Sequence, residues 1–360
     1  MSTFDVAVVG AGPAGSTAAY RLARAGAHVL LVDRARFPLD KPCGGGVTVR
    51  AAKLLPFAID PVVEDVVDQV ELRLRYRRRV VRRTHAPIAY MTQRRRLDHF
   101  LLEKAREAGA EVREGVTVDA RELDARYVIG ADGCNGTTAK QLGLGGGIVY
   151  GVALEANYPY DARFAGEMAL DCAILAGGYG WVFPKADHIN VGVGGDEIEG
   201  PRLRTELRRM CDVYGIDPEA ATDTRGYRLP MRTAETVLVR DNAAVIGDAA
   251  GLVDPFSGDG MFEGFLSAKL VADAILAEDL ASYPAAVDRS LNALHTAGWG
   301  ARTAFTRFPR MTYAVILIPV TQRVIEKMLR GELTHPGAAR GFERGAVRAI
   351  ARIAKSAEAG

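Results

Sequence analysis

FDVAVVGAGPAGSTAAYRLARAGAHVLLVD, residues 4–33, decides the fold. FDVAVVG is a short apolar run of the kind that forms a buried strand, GAGPAG is a glycine turn, and STAAYRLARAG has helical spacing. AHVLLVD closes the unit as a second strand ending at Asp33, which gives β-α-β with a G-x-G-x-x-G turn between strand and helix. The three glycines have separate tasks. Gly10 makes the tight turn, Gly12 lets the backbone approach a pyrophosphate, and Gly15 lets the helix pack on the strand. The helix amino terminus then presents unpaired N–H groups and its positive dipole end to phosphate. Asp33 stands 23 positions after Gly10, where a carboxylate accepts hydrogen bonds from a ribose diol. Gly10, Gly12, Ala14, Gly15, Asp33 and Arg34 are therefore the expected dinucleotide contacts.

Further along the chain, RARFPLDKPCGGGVTVR (34–50) reads as a loop rich in Pro and Gly. VEDVVDQVELRLRYRRRVVRR alternates around Leu72, Leu74 and Tyr76, as a twisted hairpin with arginines on one face. A helix at about 97–108, a glycine stop and a strand follow, and ARYVIGADG is another strand ending in a turn. Residues 148–196 are mostly β, and 201–214 are helical. NAAVIGDAAGLVDPFSGDG reads as strand, loop and glycine turn, ahead of a long amphipathic helix. From Tyr283 to Gly360 the pattern is helical, and there is no internal repeat.

The totals exclude several classes of function. Of 360 residues, 48% are apolar and 25% charged, an ordinary globular composition long enough for about two domains. A net charge of +2 argues against nucleic acid as partner. No apolar stretch approaches the roughly 20 residues that span a bilayer, and MSTFDVAVVGAG lacks the features of a secretory signal. The four cysteines (Cys43, Cys134, Cys172, Cys211) lie far apart without CxxC spacing, so reduced thiols in the cytoplasm are expected. The six histidines, His85, His99 and His188 among them, form no metal-ligand spacing, and no metal site is expected.

One β-α-β unit does not distinguish NAD from FAD. TQRRRLDHFLLEKA, VIGADGCNG and VIGDAAGLVDPFSGDG resemble the matching segments of the flavoprotein monooxygenase and prenyl-reductase superfamily. The resemblance implies FAD, with Arg94 contacting the cofactor and Leu97 and Asp98 completing its motif. It also implies that Asp132 lies in the cofactor-binding ADG segment, and that Asp248 binds the ribityl chain. The turn at Gly258, Gly260 and Met261 offers N–H groups to the flavin. Within the superfamily, KPCGGGV resembles the P-C-G-G loop of geranylgeranyl reductases, which places Cys43 and Gly44 over the flavin. YGWVFPK followed by VGVG resembles their aromatic strand lining a prenyl cavity. Two features depart from the pattern: only a stub of β-structure fits before the ADG segment, and Thr137 stands where serine is usual.

Two candidate groups have alternative readings on the residues alone. Cys43 is either a small loop residue beside glycines or, by the resemblance, a site residue beside the flavin. Tyr179, Trp181 and Phe183 share one strand face, as a core stripe or as the wall of an apolar cavity; the resemblance favours the cavity. Cys43, Tyr179 and Trp181 are the catalytic candidates. The arginines at 73, 75, 77, 78, 79, 82 and 83 are either a solvated face or a surface for anionic head groups or an acidic donor. Arg340, Arg344, Arg348 and Arg352 recur every four residues, as a basic helix docked on the body or on a membrane.

The expected fold is α/β: a Rossmann-type FAD-binding domain interleaved with a β-rich substrate domain, plus C-terminal helices. The FAD-binding segments are 1–60, 88–147 and 225–282, the substrate segments 61–87 and 148–224, and the helical region 283–360. The resemblance implies an FAD-dependent reductase of isolated C=C bonds in a prenyl lipid, with a flavin monooxygenase or halogenase as alternative. Electrons would come from NAD(P)H or a ferredoxin-like protein. The protein would be cytoplasmic, with peripheral contact to the inner face of the membrane.

Overall fold

Every residue of the strand Phe4–Val9 except Asp5 is buried, and it pairs in parallel on both sides, with Val29–Asp33 and with Ala125–Gly130. The structure, a computed structural model, describes residues 2–340 together with 344, 345 and 348. The helix Pro13–Arg24 crosses between the first two strands. Its opening proline needs no N–H donor, its last turn carries Arg21 and Arg24, and Ala18, Ala19 and Leu22 face the sheet. Six strands complete this layer in the order Val239–Arg240, Ala243–Val245, Ala125–Gly130, Phe4–Val9, Val29–Asp33, Glu111–Glu114. All pairs are parallel except the first. Val6, Val8, Leu31, Ile129 and Val245 meet Val271 and Ile275 of the helix Met261–Leu276 in one core.

A second, seven-stranded sheet runs Thr222–Met231, Val149–Pro159, His188–Asp196, Tyr179–Pro184, Glu167–Cys172, Gln69–Leu74, Arg77–Arg83. Its outer face is covered by the helix Leu203–Tyr214, whose Leu207, Met210 and Cys211 pack on Val182, Val191 and Val193. Residues 225–231 stand in this sheet and not with the nucleotide-binding strands, so the chain returns to the first sheet only after Met231. A small third sheet joins Gly46–Thr48, Ala89–Met91 and Asp65–Val67.

The structure differs from the expected elements at three places. The stretch 34–50 is not wholly loop: Gly46–Thr48 is a strand, and Thr48 caps the short helix Val49–Ala52 by accepting from the Ala51 N–H. The helix expected at about 97–108 spans Arg94–Glu107, one turn earlier, with an Arg94–Asp98 ion pair in that turn. The arginine hairpin forms, but not as one basic face. Arg73 and Arg79 both bind the buried Glu71, Arg75 donates to the Ala173 carbonyl, and Arg82 donates to Gln322. Its turn residues Arg75 and Tyr76 both have positive φ, at 50° and 66°, which matches the twist of a two-residue hairpin loop. Neither is glycine, so each costs about 1–2 kcal/mol. The Asp171 carboxylate, which accepts the Tyr76 N–H at 2.9 and 3.0 Å, helps to hold the turn.

The helices Tyr283–Arg307, Pro309–Ile316 and Pro319–Leu329 close the described chain. The apolar run TYAVILIPV is divided because Pro319 cannot continue a helix and instead opens the next one. No helix among the described residues is long and apolar enough to cross a membrane. The expected basic tail helix falls mostly on residues outside the described set, including Arg352.

Candidate functional site

The glycine turn divides its work between packing and open space. Gly10 has φ +106°, and a Cβ there would fall 2.4 Å from the Ala131 carbonyl oxygen. A Cβ on Gly15 would fall 1.8 Å from the Gly10 carbonyl oxygen. These two positions let strand, turn and helix touch. Gly12 is different: a Cβ there would meet nothing nearer than Lys41 Nζ, at 3.9 Å. Gly12, Ala14 and Lys41 line a cavity of about 1140 Å³. The Asp33 carboxylate accepts from the backbone N–H groups of Ala11 (2.7 Å) and Ala35 (2.8 Å), so it ties the turn to the strand end. Asp33 does not line the cavity, and neither does Arg34, which is exposed.

The PCGG loop and the aromatic strand, more than a hundred residues apart, meet directly. A Cβ on Gly44 would lie 2.8 Å from a ring carbon of Phe183 and 3.1 Å from Trp181 Nε1, so only glycine lets the loop lie on the rings. Tyr179, Trp181 and Phe183 follow one another with ring centroids 6.0 and 6.2 Å apart. All three line the same cavity as Cys43 and Gly44. Tyr179 donates its hydroxyl to the Ser257 carbonyl, and Trp181 Nε1 donates to Asn190 at 2.8 Å. The Lys185 ammonium lies beneath the loop and donates to the Gly44 carbonyl at 2.5 Å. Burial lowers its pKa to about 8. On the other side, Glu155 accepts the Cys43 N–H at 2.6 Å, and burial raises its carboxyl to about 7. Burial also raises the Cys43 thiol, against the pull of Arg94. Cys43 is thus held as a thiol and not as an activated thiolate.

A third group sits along the same cavity. The Arg94 guanidinium makes a two-pronged pair with Asp98, both contacts at 2.7 Å. Burial works against its charge, and Asp98 more than offsets this, leaving its pKa raised. Asp248 lines the cavity and accepts from the Tyr227 hydroxyl at 2.9 Å. Burial raises its carboxyl above the ordinary range, eased by Tyr227, Arg94 and Lys41. Gly258, Gly260 and Met261 also line the cavity, but the N–H groups of Met261 and Phe262 are already taken by Asp259 at 2.9 and 3.3 Å. That leaves less of the helix terminus free for a ligand than the glycine turn suggests. Asp132 is outside the cavity. Its Oδ2 accepts from Thr137 N, Thr138 N and Thr138 Oγ1, which fixes the turn after the strand Ala125–Gly130.

Four polar residues at this site escaped the sequence reading: Lys41, Glu155, Lys185 and Tyr227. Lys41 and Lys185 carried a signal, because they begin the KPCGGGV stretch and end the YGWVFPK stretch. Glu155 and Tyr227 stand in no motif that marks them.

These residues fit a flavin dinucleotide. An open approach at Gly12 faces a lysine, the helix Pro13–Arg24 begins there, and the cavity runs on past a buried arginine to a glycine loop and aromatic wall. The family profile described as FAD binding domain matches residues 3–120. Fold and site together define an FAD-dependent oxidoreductase. Menaquinone reductase of Mycobacterium tuberculosis is 33% identical over 322 residues, covering 77% of this chain and 78% of that protein. The chloroplastic geranylgeranyl diphosphate reductase of Nicotiana tabacum is 30% identical over 313 residues, covering 75% and 66%. The crystal structure of a geranylgeranyl bacteriochlorophyll reductase-like protein from Thermoplasma acidophilum superposes with a TM-score of 0.76 at 20% identity, covering 100% and 99%. The chain belongs to the geranylgeranyl reductase family of FAD-dependent oxidoreductases.

Proposed function

We propose that the protein hydrogenates isolated C=C bonds of a prenyl lipid chain. The observation that carries this reading is the continuity of the cavity. From the glycine loop and aromatic strand it extends past Met168 and Leu170 to Ile316, Val324, Met328 and Leu329 of the C-terminal helices. An isoprene chain offers no polar handle, so an elongated apolar enclosure is what can bind it. Gly12, Ala14 and Lys41 would hold the pyrophosphate, Asp248 the ribityl chain, and Cys43–Gly44 the flavin edge. Bound FAD in its reduced form supplies the hydride equivalent for one alkene carbon. Trp181 and Phe183 would press the alkene toward the loop and exclude water, while Lys185 and Glu155 fix the loop from either side.

Anaerobic reoxidation of the photoreduced enzyme tests this directly. A geranylgeranyl lipid should restore the yellow flavin spectrum and yield a product heavier by two hydrogens per bond reduced. Reoxidation by O₂ with a bound intermediate, and none by lipid, would assign the protein to the monooxygenases or halogenases instead. Electrons in turnover would come from NAD(P)H or a ferredoxin-like protein.

The same reading extends to the membrane in which such lipids reside. Ile325 both lines the cavity and is exposed, and Phe308, Met311 and Ile318 are exposed on the same helices. Exposed Arg310 and Arg323 flank them, and Arg82 joins the arginine hairpin to this region through Gln322. Each arginine near an anionic surface contributes about 1 kcal/mol, screened by salt. Cosedimentation with anionic vesicles is expected at low salt, lost in neutral vesicles, and weakened by Met311→Ser with Ile318→Ser. Retention in the supernatant under all conditions counts against membrane contact.

A further inference from the structure

Adding hydrogen across an alkene needs a proton as well as a hydride, and the proposed function leaves its source open. Most cavity-lining groups that carry an acidic proton or could carry one are committed elsewhere. Tyr179 spends its hydroxyl on the Ser257 carbonyl, and burial makes it a weaker acid still. Asp248 accepts from Tyr227; Asp254 Oδ1 accepts from Phe256 N, Ser257 N and Ser257 Oγ. Asp259 caps the helix Met261–Leu276 and faces Arg50 at 3.6 Å. Lys185 lies beneath the loop, outside the cavity wall, with its proton on the Gly44 carbonyl. Glu155 remains. It is 9% exposed, lines the cavity, and is joined to the loop that carries Cys43 by a 2.6 Å bond.

Glu155 also has a way to recover a proton. It sits directly opposite Arg225 on the neighbouring strand, and Arg225 binds Asp40 at 2.9 Å in an exposed pair. The carboxyl thus stands between a solvent-facing ion pair and the interior of the cavity.

We infer that Glu155 is the proton donor of the reaction, giving its carboxyl proton to the alkene carbon that does not receive the hydride. This rests on the prenyl-reductase reading. The hydride equivalent for the first carbon, two electrons and one proton, would be supplied by bound reduced FAD, itself recharged by an external two-electron donor. As the π bond breaks, the Glu155 O–H bond breaks and a C–H bond forms at the second carbon. The resulting carboxylate takes a proton from water at the Arg225 side. The charged and titratable groups around it are Cys43, Lys185, Asp40, Arg94 and Arg225. Burial is the main force keeping Glu155 protonated, and it holds the group near pH 7, where donation and recovery are both feasible.

Glu155→Gln keeps the shape and removes the acidic proton. In that variant, single-turnover reoxidation by a geranylgeranyl lipid should slow by roughly 100-fold or more, with FAD content and dithionite reduction near wild type. The wild-type rate should fall as pH rises through about 7, because the donor is the protonated form; Glu155→Gln should lack this limb and Glu155→Asp should regain it. A readout independent of turnover is the infrared carboxylic-acid band of the protein without FAD, which should titrate near neutrality in wild type and be missing in Glu155→Gln. Wild-type lipid reoxidation with an intact pH limb in Glu155→Gln overturns the assignment, as does an unchanged infrared titration. If wild type itself is not reoxidised by any prenyl lipid, the substrate reading fails first and takes this role with it. That outcome is distinguished by the missing wild-type signal.

Discussion

Gly12→Val is expected to give a folded, colourless protein. The fold should survive because a Cβ at Gly12 reaches only Lys41 Nζ, at 3.9 Å, and φ there is −71°, which any residue adopts. Binding should not survive, because the valine methyls enter the space in which the backbone and Lys41 would meet a pyrophosphate. Each charge-assisted hydrogen bond lost contributes about 1.5–3 kcal/mol. Losing two weakens binding by roughly 10²–10⁴ in Kd, enough for FAD to be absent after dialysis. Circular dichroism and thermal unfolding of the FAD-free variant, beside FAD-free wild type, check that the fold is intact. A yellow, stoichiometric Gly12→Val protein would mean that the dinucleotide lies elsewhere.

The second large effect is expected at Trp181. Its ring lies against Gly192, where a Cβ would fall 2.1 Å from the indole, and its Nε1 edge meets Gly44 of the loop. Trp181→Ala removes about 2–3 kcal/mol of apolar contact with a bound chain, or roughly 30- to 150-fold in kcat/KM for a long prenyl substrate. Reduction of the flavin by dithionite needs no prenyl chain in the cavity and should change by less than about threefold on the same reasoning. The substitution also leaves Asn190 Oδ1 without its partner, so some loss of stability is expected in addition. Trp181→Phe separates the two effects: it retains most of the wall but not the hydrogen bond. Equal losses in both half-reactions would make the strand a structural stripe only.

The glycine turn and the β-α-β unit around it were legible because their signal is local. Gly10, Gly12 and Gly15 lie within six residues, and the strand, turn and helix that give them meaning are contiguous with them. Arg94 and Asp98 likewise stand one helical turn apart. The alternation of Tyr179, Trp181 and Phe183 showed a shared strand face but not what lies against it. That depended on Gly44, which lies 139 positions before Phe183. Glu155 and Lys185 were hidden for the same reason. A lone polar residue on a strand has no period, and its worth appears only when the sheet brings it beneath a loop from elsewhere in the chain. Asp33, Arg34 and Asp132 show the opposite limit. Each stands where the motif puts it, yet none lines the cavity, because backbone N–H groups nearby occupy the two carboxylates and Arg34 points to solvent.

The interleaving of the two large sheets has a consequence for how the chain is made. The parallel sheet needs Ala243–Val245 beside Ala125–Gly130, and the second sheet needs Glu167–Cys172 beside Gln69–Leu74 and Thr222–Met231 beside Val149–Pro159. While the ribosome has delivered only the first half, each sheet has an open edge waiting for a partner not yet synthesised. Such pairings close long loops and are slow to form, and open edges invite pairing with other chains in the meantime. Nascent chains stalled before residue 222 should therefore depend on chaperones far more than chains released after residue 245.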